Sequence, residues 1–161
     1  MKLFPERKYN VQIEDEIFDS ITELKRNTKL SNSLVSERTK KAFIGQVGDS
    51  HFKIISSEIG RGAFCVLQGR FEEKKGVIEI KIHKAFRVML SIIMIFPFIG
   101  FGIAIFQQGF VKSLGIIPAL LFLLIFLRFV FIGLTFRFVT QTGLSKLKKI
   151  LKIKQINLIQ H

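Results

Sequence analysis

The chain has 161 residues and a net charge of +13, and all 12 of its acidic residues lie between Glu6 and Glu79. Residues 85–161 contain nine Lys or Arg and no acid. Basic residues that bracket apolar helices are what membrane orientation requires, so we do not expect a nucleic-acid partner. The single cysteine, Cys65, excludes an intrachain disulfide, and without a Cys or His cluster no metal or cofactor is expected.

A short amphipathic helix is predicted at about residues 15–27, where the sequence reads DEIFDSITELKRN. Ile17, Ile21 and Leu24 recur at helical spacing, with acids in the first turn and bases in the last, as the helix dipole favours. The next residues, 27–41, are polar and rich in Ser, Thr and Asn, which predicts a mobile loop.

Four short strands are predicted between residues 42 and 84. The runs AFIGQV, HFKIIS, AFCVLQGRF and GVIEIKIH are β-branched and aromatic, and they are separated by GDS, EIGRG and EEKKG, which contain turn residues. In the last run, Ile78, Ile80 and Ile82 alternate with polar residues, as in a strand with one face in water. The sequence therefore predicts a cytoplasmic α+β domain over residues 1–84 with a four-stranded antiparallel meander.

Two apolar segments follow, at about residues 88–106 and 116–136, and each is long enough to span a bilayer. The connection QQGFVKSLG is too short to hold a domain. Residues 85–136 are therefore predicted to form a two-helix transmembrane hairpin with antiparallel spans.

The first span contains residues that affect helix shape and packing. Pro97 removes one backbone hydrogen bond and is expected to kink the helix. Gly100 and Ala104 are four residues apart, which allows a close approach to another helix in lipid. The second span of the same chain is the expected neighbour.

Lysines and arginines precede the first span and follow the second, whereas the connecting turn has only Lys112. The positive-inside rule then places both termini in the cytoplasm. These basic residues are expected to contact anionic lipid headgroups or a partner protein. They include Lys84, Arg87, Arg137, Lys146, Lys149 and Lys152.

Residues 137–161 form a basic tail in which Leu144, Leu147 and Leu151 lie on one helical stripe and the lysines lie elsewhere. This pattern predicts a basic amphipathic C-terminal helix on the cytoplasmic side. We expect it to return to the sheet.

The segments FIGQVGDSHFKII, GRGAFCVLQGRF and GVIEIKI, followed directly by a membrane hairpin, resemble a family of small uncharacterised bacterial membrane proteins. The resemblance covers roughly residues 42–140. It implies a β-rich cytoplasmic domain that leads into a two-helix hairpin in a bacterial inner membrane, and it implies no activity. The matching positions are mostly sheet and turn residues: Phe43, Gly45, Phe52, Ile54, Arg61, Phe64, Gly69, Ile78, Ile80 and Ile82.

Arg128 is the one charged residue within the second span, where an ionisable group is costly. One interpretation is a charge that lines a pore or lies between subunits. The other, which we favour, is that it snorkels to the headgroups, because it lies near the cytoplasmic end of the span. Residues 85–161 contain no acid, so its contacts are expected to be lipid phosphate, water, a backbone carbonyl or another protein.

Other possible sites have simpler structural interpretations. The GRG sequence at residues 60–62 is interpreted as a hairpin turn rather than a phosphate loop, because a strand follows it. Cys65 lies in the apolar run AFCVL and is expected to be a buried, inert thiol. The histidines have no partners at catalytic or metal-binding spacing and are expected at the surface. They are His51, His83 and His161.

The sequence therefore favours a non-catalytic inner-membrane anchor, assembly or regulatory subunit that binds a protein partner, or a second copy, through its cytoplasmic sheet. The alternative is an oligomeric channel or membrane-permeabilising protein, such as a toxin or defence effector. An enzyme is not expected, because no titratable pair has a catalytic spacing.

Overall fold

A computed structural model describes residues 4–35, 37–58 and 62–159. These residues form two compact units. The sheet unit comprises the chain up to His83 and again from Phe136, and the helical unit comprises Lys84–Thr135. The chain therefore leaves the sheet unit, forms the helical unit and returns.

The described residues of the sheet unit form seven strands. They are β1 (Glu6–Ile13), β2 (Thr28–Leu30), β3 (Phe43–Val47), β4 (His51–Ser56), β5 (Cys65–Glu72), β6 (Lys75–Ile82) and β7 (Ile153–Ile159). Their order in the sheet is β2-β3-β4-β5-β6-β1-β7. All neighbours are antiparallel except β2 and β3, which are parallel.

Two helices cover one face of this sheet. They are α1 (Ile17–Asn27) and the part of α5 (Gly133–Ile150) that belongs to the sheet unit. Leu24 of α1 and Leu147 of α5 are fully buried. A Cβ atom at Gly143 would lie 3.5 Å from the Leu67 side chain, so α5 packs closely on β5. The alternating residues of the strands supply the rest of this core.

Gly69 is needed because a neighbouring ring occupies the place of a side chain. A Cβ atom at Gly69 would lie 2.3 Å from Cε1 of Phe52 on the adjacent strand. The Phe52 ring, with its centroid 6.1 Å from that of Phe71, fills the space above the glycine. A larger residue at this position would displace a core phenylalanine.

The helical unit contains α2 (Lys84–Gln108), α3 (Phe110–Ser113) and α4 (Ile117–Ile125). A π-helical segment, Phe126–Ile132, connects α4 to α5, and Phe110–Ile150 is helical for 41 residues. α2 contacts α3 and α4, so the two helical stretches are neighbours within the unit.

The α+β prediction is confirmed, and so are its main elements in the first half. The predicted helix at 15–27 is α1, and the four predicted strands are β3 to β6, which pair in sequence as a meander. The meander is, however, only part of a larger sheet. β1, β2 and β7 extend it on both sides.

Two predictions of local structure need correction. Residues 27–41 were predicted as a loop throughout, but Thr28–Leu30 pair in parallel with β3, and the Thr28 side chain is buried. The C-terminal helix was predicted over the tail, but α5 ends at Ile150 and β7 follows. The chain turns at Lys152, whose φ of 46° is left-handed, so the helix cannot continue.

Candidate functional site

The first candidate surface is the side of the sheet opposite the two helices, which we call the polar face. Its residues alternate along each strand with the buried residues of the core. The strand registers place them in rows across the sheet. They are Lys8, Asn10, Gln12, Gln46, Lys53, Gln68, Arg70, Glu72, Lys75, Val77, Glu79, Lys81, Gln155 and Asn157.

Side-chain amides form two of the cross-strand pairs on this face. Asn10 on β1 lies opposite Asn157 on β7, and Gln12 lies opposite Gln155. Each amide both donates and accepts hydrogen bonds, so the pairs present a neutral surface with mixed hydrogen-bonding capacity. Sequence reasoning missed these residues because it predicted neither strand, although the alternation of Tyr9, Val11 and Ile13 with polar residues was a signal for β1.

The amide pairs belong to a shallow concavity of 460 Å³ on the polar face. Charged side chains from β5 and β6 complete it, with Arg70 and Glu72 on β5 and Lys75 on β6. The concavity therefore offers donors, acceptors and both signs of charge within one surface. Such a mixture gives the surface groups that can recognise a polar partner.

A carboxylate between two lysines lies further along the polar face. Glu79 accepts from Lys8 at 3.0 Å and from Lys81 at 2.7 Å. Burial raises the pKa of Glu79, but the hydrogen bonds and charges of Lys81 and Lys8 outweigh it and lower the pKa overall. The hydrogen bond to Glu79 raises the pKa of Lys8. Glu79 and Lys8 are therefore both charged at neutral pH.

Where the polar face crosses β3, β4 and β5, it has a small apolar cluster in which Ile44, Ile55 and Val66 are buried. Leu34, from the segment predicted as a mobile loop, and Ala63 pack against it. This part of the face is occupied by the chain itself.

The second candidate surface is the exterior of the helical unit. α2 and the segment Phe110–Ile150 are long and apolar enough to cross a membrane, by length and composition. In the most apolar 18-residue window of each, only 6% is buried inside the chain. Phe106 is 93% exposed and Phe122 is 71% exposed, so these side chains do not form a core of this unit.

Arg128 lies in the π-helical segment of the helical unit and is partly buried. Its guanidinium carbon is 5.8 Å from the centroid of the Phe129 ring, within the range of a cation–π interaction. This geometry does not separate the two interpretations of Arg128, so the pore charge and the snorkelling charge both stay predictions.

The small residues predicted for helix packing lie on α2. Pro97 is inside the helix, which continues through it to Gln108. A Cβ atom at Gly100 or Gly102 would have no described atom within 4 Å, so in the described chain the second helical stretch does not lie against these two glycines. Ala104 is partly buried. Their proposed role in packing stays a prediction.

The basic residues predicted to contact headgroups fall into two groups. Lys146 on α5 forms a 2.6 Å ion pair with Glu58, and Lys152 forms a 2.7 Å ion pair with Asp15. The hydrogen bond to Asp15 raises the pKa of Lys152. The remaining four side chains are exposed: Lys84, Arg87, Arg137 and Lys149.

Cys65 is buried at the start of β5. Burial raises the pKa of its thiol to about 12, and the neighbouring Thr140 hydroxyl opposes this only in part. The thiol is therefore protonated at neutral pH and is a poor nucleophile.

Of the predicted surface histidines, His51 is exposed and His83 is partly buried. Burial and the charge of Lys53 lower the pKa of His83. His161 and the predicted turn residues Gly60 and Arg61 lie outside the described residues. Within the described parts of the chain, no group of three His, Cys, Asp or Glu side chains has a metal-binding arrangement.

Comparison with known proteins finds no family model that matches this chain, no similar curated protein and no similar solved structure.

Proposed function

We propose that this chain is a non-catalytic subunit anchored in a bacterial inner membrane, which binds a protein partner through the polar face of its sheet unit. The observation that carries the proposal is the contrast between the exposed apolar helices and the polar sheet face. The first surface suits lipid and the second suits an aqueous partner. No cofactor or metal is part of the proposal.

The exposed apolar surface of the helical unit supports the membrane anchor. Contiguous apolar surface of this extent is not stable in water and marks a membrane or protein contact. α2 has 25 residues, enough to cross the hydrocarbon core, and the helical segment Phe110–Ile150 has 41. In the proposal the two form a hairpin that spans the bilayer.

The distribution of charge supports the orientation. Lys84 and Arg87 lie at the start of α2, Arg137 follows the second apolar stretch, and Lys112 is the one basic residue of the connection. With more positive charge at the two outer ends, the positive-inside rule places both termini and the sheet unit in the cytoplasm. The exposed basic residues then lie beside anionic headgroups.

The polar face supports a protein partner. A seven-stranded sheet carries both of its helices on the other side, and the concavity around Arg70 combines amides with charges. Arginine is enriched at protein interfaces because its planar group donates several hydrogen bonds at once. We therefore propose that Arg70 anchors the partner and that the amide pairs of β1 and β7 contact its edge.

The binding test is co-purification from native membranes with Arg70→Glu compared with wild type. The matched control is Arg38→Glu, which changes an exposed arginine outside the polar face. The proposal predicts one partner that is retained by wild type and the control and lost with Arg70→Glu. Equal recovery with all three chains would contradict a polar-face site.

The topology test uses single cysteines and a membrane-impermeant maleimide on intact cells. Cys65 is buried and can stay in place. Gln107→Cys, near the connection, is expected to react from outside, whereas Gln46→Cys in the sheet unit is expected to react only after the cells are opened. The reverse pattern would overturn the proposed orientation, and reaction of both sites in intact cells would overturn the anchor.

The location of Arg128 favours one second candidate, an oligomeric channel. π-helical turns are often associated with functional sites, and Arg128 lies within one. In a channel, Arg128→Leu would abolish ion flux through the reconstituted protein. If Arg128 snorkels, flux is absent in wild type and Arg128→Leu leaves partner binding unchanged.

A further inference from the structure

The two edges of the sheet are protected to different degrees. β2 has only three residues, and its Lys29 is paired with Glu37, as is common for edges that avoid strand pairing. β7 has seven residues, and no charged side chain occurs from Gln155 to Ile159. A long, uncharged edge strand is a template for pairing with another strand.

The backbone groups that face outward can be assigned from the hydrogen bonds of β1. Ile13 N–H donates to the Lys74 carbonyl on the β6 side, and Glu14 N–H donates to the Lys152 carbonyl on the β7 side. Alternate residues of a strand point the same way, so Asn10 and Gln12 also point toward β7. Their partners on β7 are Asn157 and Gln155.

Ile156 and Leu158 consequently direct their N–H and C=O groups away from β1, to the outer edge of the sheet. Within the described chain, β7 is the last strand on this side. The Leu158 side chain is 49% exposed although it shares the apolar side of the sheet with its register partner Tyr9. Both the backbone and a side chain of β7 thus lack the cover that an inner strand would have.

We propose that the outer edge of β7 pairs antiparallel with β7 of a second copy of this chain, about a two-fold axis at Asn157. In this register Ile156 of each copy lies opposite Leu158 of the other. These are the residues whose backbone groups point outward, so each pair exchanges two hydrogen bonds. The same contact covers the exposed Leu158 with an isoleucine.

The side chains on the other face also match in this register. Asn157 lies opposite Asn157 of the second copy on the axis. Because Asn10 lies beside Asn157 in each copy, the four asparagines form one row across the polar faces of the two copies. Lys152 and Lys154 precede the uncharged stretch in each chain, and antiparallel pairing puts the two sets at opposite ends of the contact. A self-complementary surface without like-charge contacts is what a two-fold interface requires.

This inference does not depend on the proposed polar-face partner. A wild-type chain that binds its partner but does not self-associate would contradict only the inference. A wild-type chain that self-associates but binds no partner would contradict only the proposed function.

The test is disulfide cross-linking of the full chain in native membranes. In a non-hydrogen-bonded antiparallel pair the Cα atoms are about 4.5 Å apart, within the range of a disulfide. Asn157→Cys should therefore shift the chain to twice its mass under oxidation. Cys65 can remain, because it is buried with a pKa near 12.

Two matched controls use the same face of the sheet. Asn10→Cys lies one strand further inward, so the two copies would be roughly 14 Å apart and should not cross-link. Gln155→Cys lies on β7 but opposite Ile159, so it should not link to itself. Equal yields at all three positions would show random collision, and a link to a different protein would show another occupant; either result overturns the proposal.

A second pair of variants breaks the contact without the use of cysteines. Ile156→Pro removes an outward N–H that β1 does not use, so an edge strand can accommodate it. Leu158→Lys places a charge opposite Ile156 of the second copy. Both should convert the dimer to single chains in a mass measurement, with the unfolding transition of the sheet unit retained. A dimer that survives both changes would refute β7 pairing.

Discussion

The sheet unit and the helical unit use the same apolar residue types in opposite ways. In the sheet unit, Phe43 and Phe52 are buried between the strands and the two helices. In the helical unit, Phe106 and Phe122 are among the most exposed of the large hydrophobic side chains that the structure describes. Burial of apolar side chains away from water therefore organises the sheet unit, whereas the described helical unit buries few apolar side chains of its own.

The polar residues of the two units show the same contrast. The sheet unit exposes a face of amides and ion pairs such as Lys8–Glu79. The second apolar stretch of the helical unit contains one charge, Arg128, beside an aromatic ring. Truncation of a phenylalanine should therefore have the larger effect in the sheet unit, and an added charge should have the larger effect in the helical unit. Matched pairs of variants can test both differences.

The largest difference is expected for matched phenylalanine truncations. Phe52→Ala leaves a cavity between Gly69 and Phe71 and should lower the free energy of unfolding of the sheet unit by about 3–5 kcal/mol. Phe122 is 71% exposed, so Phe122→Ala should change that free energy by no more than about 0.5 kcal/mol. Denaturant unfolding in a mild detergent measures both. Similar losses would mean that the helical unit shares the core of the sheet.

The next effect concerns charge on an exposed apolar position. Ile125 is 58% exposed near the middle of the second stretch, and in lipid Ile125→Arg should cost about 3 kcal/mol of insertion free energy. Val77, on the polar face, is 43% exposed, and Val77→Arg should have little effect. The fraction of chain that resists alkaline extraction from membranes measures insertion. Full retention of Ile125→Arg would argue that the helices do not cross a bilayer.

The part of the fold that could be predicted from sequence is the part set by local periodicity. Ile78, Ile80 and Ile82 alternate along β6, and Ile21 and Leu24 mark the buried side of α1. The apolar stretches of the helical unit were equally clear. In each case a short window of sequence contains the whole signal.

The strand β1 was missed although Tyr9, Val11 and Ile13 alternate with polar residues, whereas β2 and β7 carry no such clear alternation. The pairing of all three strands is set by residues outside the strand itself. Asn10 and Asn157 are opposite each other in the sheet, and no local pattern indicates this. In LKKILKIKQINLI the leucine and isoleucine spacing fits a helix as well as a strand. Helix α5 ends at Ile150, and the left-handed residue that follows it is a lysine, Lys152, where a glycine would have given a clear stop signal.

The sequence also identifies the basic residues but does not show which of them form ion pairs in the folded chain. Lys146 and Lys149 are three residues apart on one helix, yet Lys146 forms an ion pair with Glu58 and Lys149 is exposed. Glu58 lies in the connection between β4 and β5, and it reaches α5 only in the folded unit.

The pH dependence of the sheet unit should be partly due to Glu79. Its pKa lies below the ordinary value of 4.5 in the folded unit, so its stabilising effect is present above that value and is lost as the pH falls through the folded pKa. Glu79→Gln should remove this part of the acid transition. Thermal unfolding at a series of acidic pH values measures it, with Glu72→Gln on the same face as the control. An unchanged acid transition in Glu79→Gln would contradict the role of the Lys8 and Lys81 pairs.

The smallest effect separates the two predicted headgroup lysines of α5. Lys146→Ala removes a partly exposed ion pair with Glu58 and should lower the stability of the sheet unit by a few tenths of a kcal/mol, at most about 1. Lys149→Ala removes an exposed charge and should leave stability unchanged but weaken binding to vesicles with anionic lipid, if that side chain contacts headgroups. Added salt should reduce both effects. Equal loss of vesicle binding in the two variants would show that the Glu58 pair does not withdraw Lys146 from the membrane surface.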